Sequence, residues 1–380
     1  MSWKNINFHE RIKKILQKTI LEKKIPSAYL FWGIEGVGKS AIAIEFAKTL
    51  NCIHPIIKED TINSCNECRS CKQFENLSHP NLTLVFSLPP GKGADSSDNS
   101  LAKLSDEQID LIKEQLVAKA HNIYHKISIP NATQIKINSI REIKRNLSLT
   151  SNIPGWRVAI ILNAEEMTTE AANAFLKTLE EPHERITIIL ITSKKEMLLP
   201  TIISRCQQIY FEPIPENQLA EYLIKEYSIS HAEAKIIANF SQGSILTAKE
   251  FIDSNIAEIR NSIVELLRIA LKNSYRFELS EKIEELIGTK NKLNVETHLR
   301  LLQNWFRDCF IMLKTNNSDK IINLDLQDRI RKFIELFPNA NYQSIINEIE
   351  NSIYKIRRNV NLQLIAYSLF LKIRLNLLDK

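Results

Sequence analysis

At 380 residues the chain is long enough for two or three domains and a sizeable core. Its 44% hydrophobic and 25% charged content is ordinary for a globular protein, and no apolar run approaches the roughly 18 residues that a membrane-spanning helix needs. A net charge of +6, from 50 Lys and Arg against 44 Asp and Glu, permits contact with nucleic acid or an acidic partner but does not demand it. The opening residues, Met1 to Phe8, lack the apolar region of a signal peptide, so the expectation is a cytosolic chain with reduced cysteines.

Residues 9–24 have the pattern of a basic amphipathic helix, with Ile12, Ile15, Leu16 and Ile20 on one face and Lys13, Lys14, Lys18 and Lys23 on the solvated remainder. Pro26 ends it. The short apolar run Ala28-Tyr29-Leu30-Phe31-Trp32 reads as a buried strand and leads into Gly33-Ile34-Glu35-Gly36-Val37-Gly38-Lys39-Ser40. This is G-x-x-x-x-G-K-[ST], a phosphate-binding loop, and the helical spacing of residues 40–47 supplies the helix that must follow it. Of eight glycines in the whole chain, three fall here, at Gly33, Gly36 and Gly38. They let backbone N–H groups turn toward phosphates at the positive end of the helix. Lys39 would reach the β- and γ-phosphates and the Ser40 hydroxyl would ligate Mg²⁺.

Cys52, Cys65, Cys68 and Cys71 follow with the spacing C-x12-C-x2-C-x2-C, four of the chain's six cysteines. Two x2 steps bring three thiolates into one turn, and the fourth sits at the end of the preceding helix. This is a Cys₄ site, with Zn²⁺ the usual occupant and an iron–sulfur cluster the alternative. Four protein thiolates leave no open position for chemistry, so a metal here staples a loop.

A strand is expected over residues 80–86. A loop follows to Ser100, in which Gly91-Lys92-Gly93 lacks the strand–helix context of a second phosphate loop. Residues 104–124 read as a helix capped by Ser105-Asp106-Glu107-Gln108, and residues 87–125 together as an insertion. Strand 134–137, helix 138–149 and the continuous apolar strand 156–162 come next. Strands at 186–191 and 208–211 complete a parallel α/β sheet covered on both faces.

In sequence order the phosphate loop, the four-cysteine knuckle, Ala172-Asn173-Ala174-Phe175-Leu176-Lys177-Thr178-Leu179-Glu180-Glu181-Pro182 and Ser204-Arg205-Cys206 resemble the bacterial DNA polymerase III clamp loader, an AAA+ assembly. The resemblance implies an AAA+ domain over 1–211, with the knuckle at 52–71, a small helical lid over 212–255 and an all-helical collar over 256–380. It places Thr192 among the nucleotide-binding residues with Gly33, Gly36, Gly38, Lys39 and Ser40. It makes Arg205 an arginine finger, reaching in trans the ATP of a neighbouring motor subunit.

Counting back from Asn173, the motor's magnesium-binding Asp falls on Leu162 and its catalytic Glu on Asn163; Glu165 and Glu166 lie beyond the strand end. The motor's phosphate-sensing Arg falls on Leu246, after Gly243-Ser244. Leu cannot bind a metal and Asn cannot take a proton. The departures favour a delta-prime-like stator that binds ATP and Mg²⁺, if at all, without turnover. A gamma/tau-type motor with a displaced acid is the alternative. The implied partners are the gamma/tau and delta subunits and, through them, the sliding clamp and primer–template DNA, in a cytoplasmic, nucleoid-associated replisome without membrane contact.

The segment beyond residue 256 has no catalytic constellation; Val295, Leu299, Leu302, Phe306, Phe310 and Leu313 recur at the three- and four-residue steps of a buried helical stripe. Lys355-Ile356-Arg357-Arg358 reads as a solvated helix face.

Overall fold

The computed structural model describes residues 3, 6–90, 101, 104–148, 154–180, 184–253, 256–288, 292–315, 321–357 and 360–378. Gly91-Lys92-Gly93, the Glu181-Pro182 end of the long motif and Arg358 lie outside these. By packing, Met1–Tyr222 with Gln242–Thr247 form one compact unit, and Leu223–Ser241 with Ala248–Lys380 another.

In the first unit α1 (Glu10–Leu21), β1 (Ala28–Gly33) and α2 (Lys39–Leu50) lead to a small hairpin, β2 (Ile56–Lys58) and β3 (Thr61–Asn63). Then come α3 (Arg69–Glu75), β4 (Leu82–Val85), α4 (Asp106–His121), α5 (Ile137–Ser148), β5 (Arg157–Ile161), α6 (Thr169–Glu180), β6 (Ile186–Thr192), α7 (Pro200–Ile203) and β7 (Gln207–Phe211). Five strands form one sheet in the order β4-β5-β6-β1-β7, every pair parallel. β6 lies in the middle and is buried along its whole length, which accounts for its unbroken run of apolar residues and threonines.

The two-residue period of β1 sends side chains to both faces. Leu30 joins Ile140, Ile143, Phe175 and Ile202 on one face. Tyr29 turns to the other, edge-on to Phe31 and to Phe46 of α2, at 5.8 and 5.6 Å between ring centres. A fully buried aromatic or Ile of this kind is worth about 1.5–3 kcal/mol over exposure, and helices cover both faces of the sheet. The α/β fold expected from the motif order is present.

Three local expectations differ from what is observed. Residues 134–137 make only isolated bridges, Leu88 with Gln134 and Ile135 with Met167, because Ile135 is drawn into the core and Ile137 already opens α5. Lys13 is not solvated: it is buried, and its ammonium donates to the carbonyls of Trp3 (3.2 Å) and Ile6 and to Glu10 Oε1 (2.6 Å), while Ile15 is exposed instead. In the second unit the stripe on α13 (Lys292–Thr315), fourth after α9 (His231–Phe240), follows Val295, Leu299, Leu302 and Phe306 inward and then drifts, so that Cys309 and Met312 are buried and Leu313 is exposed. A turn of 3.6 residues does not keep a strict three–four alternation on one face over about five turns.

α8 (Glu216–Tyr227) and α10 (Ile245–Asp253) flank α9, and α11 (Ile256–Leu271) and α12 (Tyr275–Gly288) precede α13. α14 (Gln327–Leu336), α15 (Tyr342–Arg357) and α16 (Leu362–Leu378) complete the chain; α13 packs on α15, and α15 on α16. Asp308, fully buried on α13, accepts from the backbone N–H of Ile322 (3.0 Å) and Asn323 (2.8 Å) and from the Asn323 side chain (2.7 Å), pinning the turn that precedes α14. Among the described residues no helix is long and apolar enough to cross a membrane.

His79, between α3 and β4, is 3% exposed and stacks on Phe74 with 4.4 Å between ring centres. Its Nδ1 accepts from the N–H of Asn81 (3.0 Å), so the ring must be neutral, and burial pushes its pKa down to about 4. The unfolded chain therefore takes up this proton first, near pH 6.5. The contribution is complete above that value and is lost as pH falls toward 4. Urea unfolding of wild type should weaken by up to roughly 3 kcal/mol over that window relative to His79→Gln, which should lack this component. Identical pH slopes for the two proteins would refute the assignment.

Candidate functional site

The phosphate loop turns between β1 and α2, at the carboxyl ends of the strands, where open α/β sheets bind ligands. Gly36 has φ 75°, and a Cβ there would stand 2.3 Å from Ser244 Oγ and 2.5 Å from Leu246 Cβ. The Ile245 N–H also donates to the Gly36 carbonyl (3.0 Å), so the Gly243-Ser244 motif is seated directly on the loop. Gly38 has φ 105°, and Tyr124 lies against it, 3.3 Å from where a Cβ would be. Lys39 is buried, and its ammonium donates to the carbonyls of Gly33 (2.7 Å) and Ile34 (2.6 Å). Burial lowers its pKa to about 8, opposed by Glu35 and Glu165. A cavity of about 340 Å³ opens here, with Gly36, Gly38, Lys39 and Ser40 on one wall and Leu162, Asn163 and Glu165 on another.

At the end of β5, Leu162 N donates to Val85 O (2.8 Å), and Asn163 turns into the left-handed region at φ 50°. Asn163 Nδ2 donates to Glu166 Oε1 (3.2 Å), whose other oxygen accepts from Ser87 Oγ. Burial raises the Glu166 pKa. Glu165 accepts from the Ser193 N–H (3.3 Å) and hydroxyl (3.1 Å) at the end of β6. Glu166 is thus held through both oxygens and Glu165 through Oε1, while Glu165 Oε2 is buried with no hydrogen-bond partner among the described residues. Thr192, expected to bind nucleotide, is fully buried and accepts from Lys194 N (3.0 Å) through its hydroxyl. Arg205, just after α7, stands apart from this cavity: it is part-exposed, pairs with Glu180 at 2.5 Å and donates to Thr201 O at 2.9 Å.

The four cysteines come together as their spacing implies, with all four sulfurs within 4.8 Å of one another. Cys71 Sγ lies 3.6 Å from Cys52 Sγ and 3.9 Å from Cys65 Sγ. Four sulfurs at about 2.3 Å from one tetrahedral Zn²⁺ stand roughly 3.8 Å apart, so the donor set fits that ion. Cys68 caps α3, and the N–H groups of Cys65, Cys68 and Cys71 donate in turn to the sulfurs of Cys52, Cys65 and Cys68 at 3.2–3.4 Å. Burial opposes ionisation of Cys68, but the Cys71 and Ile53 N–H groups outweigh it and hold its pKa at about 6, suited to a thiolate ligand. A fully buried pair, Lys48 and Glu45 (3.2 Å), ties the knuckle to α2: Lys48 also donates to Asn66 (2.6 Å), and Ser64 donates to Glu45 (2.7 Å).

The profile of the family described as DNA polymerase III, delta subunit, matches residues 8–215. The chain is also 27% identical over 367 residues to the DNA polymerase III subunit delta' of Bacillus subtilis (strain 168), covering 96% of this chain and 95% of that one. The chain belongs to the DNA polymerase III delta-prime family. It is similar as well to the tau subunit of the same organism, 29% identical over 253 residues, 65% of this chain but 36% of that one. Among solved structures, a gamma-subunit-related protein of Thermotoga maritima aligns over 96% of this chain and 99% of that one, at 16% identity and a TM-score of 0.45.

Within this delta-prime family member, sequence reading missed the groups that close on the phosphate loop from a distance. His9 Nε2 contacts Val37 O (2.8 Å), with its pKa lowered by burial, and Lys126 pairs with Glu35 (2.6 Å). Lys119, near the end of α4, is 2% exposed and donates to Ser40 Oγ at 2.8 Å. Ser40 and Lys119 are 79 residues apart, and no local spacing signals such a contact.

Proposed function

We propose that this chain is the delta-prime stator of a clamp loader: an assembly component that binds nucleotide without hydrolysing it and helps set a sliding clamp on primed DNA. Arg205 acts in trans on the ATP of a neighbouring gamma/tau motor, and a structural Zn²⁺ sits among Cys52, Cys65, Cys68 and Cys71. The domains are the AAA+ domain to residue 211, the lid over 212–255 and the collar from 256, with gamma/tau and delta as partners in the cytoplasm. The observation that carries this reading is the end of β5. Leu162 and Asn163 stand where a motor needs a metal-binding acid and a base, and of the carboxylates beyond, Glu166 is held by Ser87 and Asn163 and Glu165 by Ser193 through one oxygen. The geometry of Arg205 supports the second part, because a part-exposed guanidinium with one carboxylate partner is free to change partners.

The test is reconstitution. The full chain should co-elute with its motor and delta partners and should show no ATP turnover when alone. Turnover by the isolated chain at the rate of the motor would overturn the stator reading in favour of a gamma/tau-type motor with a displaced acid.

A further inference from the structure

A Mg²⁺ ion does not fit this phosphate site. In a phosphate loop the Ser or Thr after the lysine gives its hydroxyl oxygen to Mg²⁺, at about 2.1 Å. Here Ser40 Oγ already accepts from the Lys119 ammonium at 2.8 Å. A divalent ion on the same oxygen would lie within about 5 Å of that ammonium. The strand end offers Leu162 and Asn163 where a carboxylate should come, and Glu165, which lines the cavity beyond them, is tied to Ser193 through one oxygen.

Lys119 is not a passing surface side chain. It is buried, and its three N–H donors are all used, on Ser40 Oγ and on the carbonyls of Ile123 (2.6 Å) and His125 (2.8 Å). Those two carbonyls belong to the turn just beyond the end of α4, so the ammonium ties the turn back onto the helix. The turn is in turn set against the loop by Tyr124 over Gly38 and by Lys126 on Glu35. The segment after α4 therefore fixes the Lys119 amine at the Ser40 end of the cavity beside Lys39; burial lowers its pKa to about 7, and a bound phosphate would favour its charged form.

We infer that this site takes the phosphates of a nucleoside triphosphate without a divalent ion, Lys119 standing in for the metal. This rests on the reading that the phosphate loop binds nucleotide, and it adds the state in which it does so. A fixed lysine can neutralise phosphate charge, but unlike Mg²⁺ it brings no ordered water and cannot bridge β- and γ-oxygens at two coordination positions. Such a site holds nucleotide as a structural ligand.

The experiment is calorimetric titration of ATP into the full chain, once with Mg²⁺ and once with EDTA. Wild type should bind with a Kd equal within about twofold in the two buffers, whereas Lys119→Met should lose about tenfold or more in EDTA and recover part of it when Mg²⁺ is added. A second readout needs no variant: Mn²⁺ added to the ATP-saturated chain should give no protein-bound signal by electron paramagnetic resonance. Wild-type binding that is tenfold tighter with Mg²⁺, a protein-bound Mn²⁺–ATP signal, a Lys119→Met chain that binds like wild type in EDTA, or no ATP binding in either buffer would each overturn the inference. Metal-dependent binding without turnover would leave the stator reading standing. ATP turnover by the isolated chain would instead remove that reading.

Discussion

With Arg205 changed to Ala in this chain alone, ATP turnover by a loader reconstituted with its motor and delta partners and primed DNA should fall several-fold. The stability of the chain itself should barely move. The second half follows from exposure: Arg205 and Glu180 are 35% and 48% exposed, and an ion pair in such a setting contributes under about 1 kcal/mol. The first half follows from the reaction. A guanidinium brought to a γ-phosphate stabilises the charge spread over its oxygens, and such fingers are worth about 10³–10⁵ in rate at the site they serve. Only the motor site facing Arg205 would lose that factor, so total turnover drops less. Arg205→Lys should behave like Arg205→Ala, because an ammonium is a point charge without the planar fork. Glu180→Gln should keep turnover, since it only frees the guanidinium. Unchanged turnover with Arg205→Ala would show that the residue is a surface ion-pair partner and nothing more.

Loss of one thiolate from the knuckle should be the largest single blow to stability. In Cys71→Ser the bound zinc, expected at about one per chain by metal analysis, should fall close to none. Stability should drop by roughly 3–5 kcal/mol, the range reached when a structural metal or a buried network is lost. The reason is that residues 52–75 bury few apolar side chains of their own and are otherwise held by a few polar contacts, such as Gln17 on the Ile62 carbonyl and Ser70 on the Asn51 carbonyl. Ile53, Ile56 and Ile57 are exposed, and Ile62, Cys71 and Phe74 are the buried apolar side chains there. The damage should spread into α2, because Ser64 and Asn66 hydrogen-bond the buried Glu45–Lys48 pair. A buried charge pair stripped of its added hydrogen bonds is costly. Hydrogen exchange should show protection lost in 52–75 and reduced near Glu45 and Lys48. If Cys71→Ser keeps both its zinc and its protection, the four-thiolate centre is refuted.

The parts of this protein visible in its amino-acid sequence are those in which neighbours along the chain do the work. The phosphate loop needs its glycines, Lys39 and Ser40 in one stretch, and Cys65, Cys68 and Cys71 share one turn with the helix that Cys68 caps. The Ser105–Gln108 capping box was legible for the same reason, and both its hydrogen bonds form (2.9 and 3.3 Å). The missing acids could be counted directly from Asn173. The strand expected at 134–137 failed because a four-residue apolar run does not say whether its side chains will meet a sheet edge or a helix core. The exposed lysine face of α1 failed at Lys13, since spacing does not reveal that the carbonyls of Trp3 and Ile6 fold back over it.

What the tertiary structure alone decided is how the phosphate site is closed. Ser244 on Gly36, His9 on Val37, Tyr124 on Gly38 and Lys119 on Ser40 join positions that are far apart in the chain, and each contact is set by where the fold brings two distant stretches of backbone together. Periodicity reports which face of an element is buried but not what it is buried against. That is why the chain announced a phosphate loop and only the fold showed a lysine lying on the oxygen meant for its metal.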